Sequence, residues 1–297
     1  MTFDSKGFSL IELLVALTVA LTLATMTFQL FHQNERVIRD QTLIMEMQQT
    51  ARVVASQIAD EIRMGGQGVP IYASRFDTAP SEATAVILAS SNATRIDFRA
   101  GLSNVDTAIP SGGPIDFTVG VPHSVSVAST AGFAAGKFVY ISGAATSSRW
   151  TWTRAELLSV SSTTLTLIPR NAGTADTTIH FLSPPTASLE EVVSIYLSGG
   201  SVRRATASNT SNAATPLWSA ANEIGRNFTA LTFTYYDALG NVVQPTSLTN
   251  RLAITRVDLQ LTVTAAGPLS NGSRPTYSLS LRTIARNALL RYPNSMP

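Results

Sequence analysis

The N-terminal part of the chain carries one long apolar run. Residues 8–31 read FSLIELLVALTVALTLATMTFQLF, and Glu12 is their only charged side chain. At about 1.5 Å per residue, a helix of this length crosses a hydrocarbon core of about 30 Å. A polar stretch of mixed charge follows from His32 onwards. We therefore predict a membrane-spanning helix over residues 8–31.

The helical pattern continues beyond this segment. Apolar residues recur there at gaps of three or four, the period of one helix face: Ile44, Met47, Ala51, Val54, Ile58 and Ile62. No Gly or Pro interrupts residues 37–64, and Gly65-Gly66 followed by Pro70 is a typical helix stop. We predict an amphipathic stalk helix over residues 32–66, continuous with the first, and a total length of roughly 85 Å.

Beyond residue 66 the pattern changes to short strands separated by Gly, Ser and Thr turns. The first part of this head, residues 67–117, contains a predicted strand pair at Ala85–Leu88 and Arg95–Arg99. Residues 118–182 contain five closely spaced strands, which predict a small all-β subdomain inserted into the head. These strands are Ser124–Ala128, Phe138–Ile141, Arg149–Arg154, Leu157–Val160 and Thr163–Ile168.

Residues 183–297 form the predicted C-terminal sheet of the head. Its strands are Val192–Leu197, Val202–Arg204, Leu231–Asp237, Arg256–Thr264 and Tyr277–Ile284. Gly199-Gly200 between the first two is a hairpin signal, and the last two form a final antiparallel pair. The predicted fold class is α+β. A long N-terminal helix, transmembrane in its first half and amphipathic in its second, packs on an antiparallel β-sheet head with the inserted subdomain.

Composition excludes several classes of function. Charged residues are 13% of the 297 residues and the net charge is +2, so no nucleic-acid partner is predicted. The chain has no cysteine, which excludes disulfides and Cys-ligated metals. His32, His123 and His180 lack metal-like spacing, and no nucleophile, phosphate-loop or calcium-loop motif is present. We predict no enzyme activity, no metal and no cofactor.

Three interpretations of the apolar run are open on its residues alone. A cleaved secretory signal peptide finds a small-residue site at Thr22-Leu23-Ala24, although Glu12 breaks its apolar region. A plain single-pass anchor agrees with the length but leaves Glu12 unexplained, because a carboxylate inside a membrane is energetically unfavourable. The third interpretation rests on the residues around Gly7, where the apolar run begins.

Gly7-Phe8-Ser9-Leu10-Ile11-Glu12 resembles the prepilin peptidase site of type IV pilins, pseudopilins and competence pilins. The resemblance implies that residues 1–7 are a leader peptide, that the peptidase cuts between Gly7 and Phe8, and that Phe8 is then N-methylated. It also implies that Glu12 forms an ion pair with the terminal amine of a neighbouring subunit. Glycine lets a backbone lie extended in a protease cleft, and Glu12 lies one helical turn after Phe8.

Three further segments resemble PilW-type minor pilins and, more loosely, the J-type pseudopilins of type II secretion: QQTARVVASQIADEIRMGG, LTFTYYDALGN and LRTIARNALL. The likeness implies a minor pilin that initiates, caps or modulates assembly of a type IV pilus. It does not extend to residues 118–182.

The implied partners are other pilins, prepilin peptidase and the inner-membrane assembly platform. The implied location is the inner membrane, with the head outside the cytoplasm, and later the pilus or pseudopilus. The alternatives are a pseudopilin of a type II secretion system and a membrane-tethered binding protein that uses residues 118–182 for recognition.

Overall fold

The computed structural model describes residues 9–70, 81–147, 149–173, 176–212 and 214–284. Its first element is one continuous helix, α1, Leu10–Arg63, so the two predicted helical halves form a single helix. The Met64 N–H still donates to the Asp60 carbonyl at 3.2 Å, and Gly66 then has a φ of 83°, which glycine adopts without strain. The predicted leader, residues 1–7, lies outside the described residues.

After α1 the described chain consists mainly of antiparallel strands, with one short helix, α2, at Leu248–Ala253. A 3-10 turn at Glu82–Thr84 precedes the first strand. The strands in chain order are β1 Arg95–Arg99, β2 Asp106–Ala108, β3 Ile115–Thr118, β4 His123–Ser126, β5 Phe138–Ala144, β6 Trp150–Val160, β7 Thr164–Ala172, β8 Thr178–Phe181, β9 Thr186–Leu189, β10 Val192–Ser198, β11 Ser201–Asn209, β12 Leu217–Trp218, β13 Asn222–Arg226, β14 Phe228–Tyr236, β15 Arg256–Thr264 and β16 Thr276–Ile284.

The second half of α1 packs across a three-stranded antiparallel sheet of order β14-β15-β16. In β15, the side chains of Val257, Leu259 and Leu261 alternate with less buried polar ones and belong to the core. Five residues of the predicted apolar stripe are buried in this core: Met47, Ala51, Val54, Ile58 and Ile62. The sixth, Ile44, is partly buried and packs against it, and Ala55, which the stripe did not include, also belongs to the core. The predicted final antiparallel pair is confirmed, since β15 and β16 pair along their whole length without a register shift.

A second antiparallel sheet completes the core around α1. Its order is β1-β10-β11-β12, and β13 also pairs with β11. The predicted hairpin between β10 and β11 is confirmed, because Gly199 and Gly200 both have positive φ, as a type I′ turn requires. Arg204 of β11 forms an ion pair with Glu61 of α1 at 2.8 Å, which links this sheet directly to the helix.

The predicted pairing of Ala85–Leu88 with Arg95–Arg99 is present as an antiparallel bridge, but Ala85–Leu88 is not a regular strand. Only Ile87 forms a bridge, to Phe98 of β1, and β1 takes β10 as its ladder partner instead. All four residues of the segment are buried, so it has no solvent-facing side and no alternation of the kind a surface strand has. It runs beside β1 as an irregular stretch with a 2.9 Å hydrogen bond from the Leu88 N–H to the Asp97 carbonyl.

The strands from β2 to β9 form a unit with its own hydrophobic core. Six of them make an antiparallel sheet of order β2-β9-β5-β6-β7-β4, and β3 pairs with β8. The prediction of two strands at Arg149–Arg154 and Leu157–Val160 is wrong: both belong to β6, where two register shifts against β7 interrupt the alternation. The bounds 118–182 for the insertion stay a prediction; the strands of this unit lie within residues 106–189.

The chain leaves and re-enters the β1-β10-β11-β12 sheet at one place. β1 ends at Arg99 and β10 begins at Val192, and these two residues are direct cross-strand partners. The whole β2–β9 unit therefore lies, in sequence, between two neighbouring positions of that sheet. The predicted α+β class, with a long N-terminal helix and a large antiparallel β part, is confirmed.

Candidate functional site

The beginning of α1 holds the described part of the predicted site. Gly7 and Phe8, the predicted cleavage and methylation residues, lie outside the described residues. Ser9 is the N-cap of the helix, with an extended backbone of φ −72° and ψ 143°. Its Oγ accepts a hydrogen bond from the Ile11 N–H at 3.2 Å. Glu12 is the third residue of the helix and is exposed.

Glu12 is hydrogen-bonded within its own chain. Its Oε2 accepts from the Ser9 N–H at 3.2 Å, while the Leu13 N–H donates to the Ser9 carbonyl at 3.2 Å. Together with the Ser9 hydroxyl this is a capping box, which satisfies N–H groups that have no partner inside the helix. The spacing of Ser9 and Glu12 is the S/T-x-x-E signature of this motif, so the sequence carries a signal for a second role of Glu12.

The first half of α1 has uncovered apolar side chains on all sides. The large apolar residues from Leu10 to Phe31 are between 52% and 80% exposed. In the described part of the chain, α1 is the one helix long and apolar enough to cross a membrane. A helix that is apolar all round is stable when lipid or protein surrounds it. This half therefore requires a surrounding that the isolated chain does not provide.

Threonine hydroxyls in this half bond to the helix itself. Thr22, Thr25 and Thr27 each donate to the carbonyl four residues earlier at 2.8 Å. Thr18 donates to the Val15 carbonyl at the same distance. These hydroxyls are satisfied without water, which suits an apolar surrounding.

A second cluster of charged side chains, which the sequence did not predict, lies in the head. Glu190, between β9 and β10, is completely buried against Arg99 of β1 and Arg154 of β6. Arg99 Nε donates to its Oε1 at 2.8 Å, and Arg154 Nη2 and the Thr210 hydroxyl each donate to its Oε2 at 2.7 Å. The ionised carboxylate therefore links the β2–β9 unit to the sheet that contains β1.

Two opposing effects set the pKa of Glu190. Burial by itself would raise the pKa, but the charges of Arg99 and Arg154 and their hydrogen bonds outweigh it and hold the pKa below its ordinary value. Because both oxygens already accept hydrogen bonds from the protein, the carboxylate acts as a structural link and is not free for chemistry.

The histidines make local contacts. His180 Nδ1 lies 2.7 Å from Asp116 Oδ1 at an exposed position, and His123 Nε2 accepts from the Thr118 N–H at 3.0 Å. Among the residues that the structure describes, no group of three or more His, Cys, Asp and Glu side chains is arranged to hold a metal ion.

Residues 3–28 match the family model described as the prokaryotic N-terminal methylation motif. The match spans the Gly7–Phe8 bond, Ser9, Glu12 and most of the apolar half of α1. Comparisons with curated proteins and with solved structures give no match. The motif and the membrane-capable helix together support a type IV pilin-like or pseudopilin precursor, processed by prepilin peptidase and anchored in a membrane.

Proposed function

We propose that the chain is a minor pilin of a type IV pilus, which enters the filament through α1 and initiates, caps or modulates its assembly. The proposal rests on the overlap of a sequence motif with a structural element. The methylation motif at residues 3–28 overlaps a helix that begins at Leu10 and leaves its whole apolar half uncovered. A cut at Gly7–Phe8 precedes that half, so the mature chain keeps it for anchoring and assembly.

In the proposed sequence of events, prepilin peptidase hydrolyses the Gly7–Phe8 bond on the cytoplasmic side of the inner membrane, and Phe8 is N-methylated. α1 then holds the chain in the membrane with the head outside the cytoplasm. The assembly platform moves the subunit into the filament, where the first half of α1 packs against the helices of other pilins. Since both surroundings are apolar, the transfer keeps the side chains of residues 10–31 out of water throughout.

The proposed partner of Glu12 is the terminal ammonium group of a neighbouring subunit. Inside a filament core the dielectric constant is low, so an unpaired carboxylate is unfavourable and a correctly paired one is tolerated. An ion pair at this position would fix the axial register of two adjacent helices, because a shift in register would separate the charges.

The maturation step is tested by the intact mass and N-terminal sequence of the full chain expressed with and without prepilin peptidase. With the peptidase, we expect a chain that begins at Phe8 and carries one methyl group on its amine. The variant Gly7→Val should stay unprocessed, because a branched side chain obstructs an extended backbone in a protease cleft. An N-terminus at Thr25, or no processing of the wild-type chain, contradicts the proposal.

The assembly step is tested with Glu12→Ala. Processing should be largely intact, but the share of the chain in sheared filaments should fall at least about tenfold, since breaking a buried ion pair costs about 3–5 kcal/mol. Thr18→Ala is the matched control, because the Thr18 hydroxyl is bonded within its own helix, and we expect normal incorporation. Normal incorporation of Glu12→Ala would refute the ion-pair role.

A pseudopilin of a type II secretion system is the second candidate, because the motif at residues 3–28 supports both classes equally. Deletion of the gene separates them: loss of surface pili supports the pilus, whereas loss of protein secretion across the outer membrane supports the pseudopilus. A further role in recognition, either on the pilus or in a membrane-tethered binding protein, is the third candidate, and the β2–β9 unit with its own core is the part of the chain that would carry it.

A further inference from the structure

The two oxygens of the Glu12 carboxylate have different surroundings. Oε2 accepts the hydrogen bond from the Ser9 N–H, whereas Oε1 has no partner among the described residues. A carboxylate accepts several hydrogen bonds, so the contact at Oε2 does not prevent a further donor from binding Oε1. The capping contact and an intersubunit contact are therefore compatible at the same time.

Ser9 makes three hydrogen bonds at the beginning of α1, and one of them is to the Glu12 carboxylate. The Ser9 side chain accepts from the Ile11 N–H at 3.2 Å, and its carbonyl accepts from the Leu13 N–H at 3.2 Å. These two contacts fix the Ser9 backbone relative to the first turn of α1. Its N–H is then directed at Oε2 of Glu12, which restricts a side chain that would otherwise move through several rotamers.

From this geometry we propose that Ser9 is a positioning residue for assembly. It holds Glu12 by one oxygen and presents the other to the terminal ammonium group of the neighbouring subunit. The inference rests on the proposed function, since it requires the intersubunit ion pair. Glu12 would then have two roles at the same time. Its Oε2 accepts a hydrogen bond from an N–H group that the helix leaves unpaired, and its Oε1 forms the contact between subunits.

Ser9→Ala and Ser9→Thr form the first test, made with the full chain in a host that assembles type IV pili. Ser9→Ala removes the capping hydroxyl, and we expect a decrease of about fivefold in the share of the mature chain found in filaments, which corresponds to the loss of a typical N-cap. Processing at Gly7–Phe8 should be unchanged. Ser9→Thr keeps a hydroxyl in the same place and should restore incorporation, which a mere packing role of Ser9 would not predict.

Glu12→Gln and Glu12→Ala form the second test, because glutamine keeps the capping oxygen but not the charge. In detergent micelles, we expect the Ser9 amide of Glu12→Gln to exchange its hydrogen nearly as slowly as in the wild type. In Glu12→Ala the same amide should exchange several-fold faster. Neither variant should enter filaments normally. Equal exchange in both variants would show that the Ser9–Glu12 contact is absent in solution and would overturn the inference.

The outcomes separate this inference from the proposed function. A wild-type chain that is not processed, or not incorporated, refutes the minor-pilin proposal and the inference with it. Normal incorporation of Ser9→Ala, together with loss of Glu12→Gln, overturns only the role of Ser9. A Ser9→Ala chain that stays uncleaved also overturns it, because the defect then precedes assembly.

Discussion

At the residue scale, Glu190 shows how the head tolerates a buried charge. Removing a carboxylate and two guanidinium groups from water is unfavourable, and the contacts with Arg99 and Arg154 offset this only because both oxygens are hydrogen-bonded. The Arg154 guanidinium also lies 3.9 Å above the centroid of the Phe138 ring. Without the carboxylate, two positive charges would remain buried side by side.

We therefore expect Glu190→Ala to lower the free energy of unfolding of the head by about 3–5 kcal/mol. Glu156→Ala is the matched control, because Glu156 pairs with Arg170 at 2.7 Å on a partly exposed surface of the β2–β9 unit. This substitution should lower the free energy of unfolding by at most about 1 kcal/mol. Denaturant unfolding of the full chain in detergent, followed by circular dichroism, measures both. Similar losses in the two variants would argue against a special role for the buried cluster.

The sequence carries a local signal around Glu12, whose assembly role stays a prediction, but no signal for the Glu190 cluster, because the two sites differ in how local they are. The signal for Glu12 lies within six consecutive residues, Gly7 to Glu12. Glu190 is separated by 91 residues from Arg99 and by 36 from Arg154, and each of them lies in or beside a strand. A pattern of alternation says which residues are buried on one strand, but not which strands meet.

At the element scale, α1 is one helix in two surroundings. Its first half is exposed in the isolated chain, whereas Ala51, Ala55 and Ala59 are buried on the sheet side of its second half. Small side chains at these positions let the helix backbone approach the strands, and Ile58 and Ile62 fill the space between. The head is thus attached to the membrane segment through a helix without an interruption by Gly or Pro.

Ile58→Ala should weaken this attachment. Ile58 is fully buried, so its truncation leaves a cavity and should cost about 2–5 kcal/mol of unfolding free energy. Val53→Ala on the same helix is the control: Val53 is 58% exposed, and we expect a change within about 0.5 kcal/mol. Thermal unfolding of both full-length variants tests the difference, and an equally stable Ile58→Ala chain would contradict the packing.

Regular alternation of buried and less buried residues allows the bounds of a strand to be predicted closely. β15 was predicted from Arg256 to Thr264 because its residues alternate along its whole length. Burial alone does not distinguish Ala85–Leu88, which forms a single bridge, from the equally buried first residues of β10, which form a ladder. The sequence divides β6 in two because its bulges break the alternation. The period of the pattern identifies regular strands, whereas irregular pairing depends on neighbours distant in sequence.

At the scale of the whole molecule, the Glu190 cluster makes the free energy of unfolding of the head depend on pH in the acidic range. The pKa of Glu190 is lower in the folded head than in the unfolded chain, where it is about 4.3. The stabilisation is therefore fully present above that value and is lost as the pH falls through the lower pKa of the folded state.

We expect the melting temperature of the wild-type head to be nearly constant from pH 7 to about pH 5 and to fall below about pH 4. Glu190→Gln should melt at a lower temperature at neutral pH and lose less on acidification, because its side chain does not titrate. Calorimetry of both chains in detergent across this range makes the comparison. Parallel acid profiles for the two would mean that other carboxylates, such as Asp237, account for the loss.

The pairing of Arg99 with Val192 has an evolutionary consequence. A turn of a few residues could join β1 to β10 directly as a hairpin, so the coding region between them can be gained, lost or exchanged without altering the strand order around α1. Arg99 limits that exchange, because a chain that lacks Glu190 and Arg154 must also replace this buried arginine. Homologues are then expected to keep the helix and its two sheets while differing widely in what they insert at this junction.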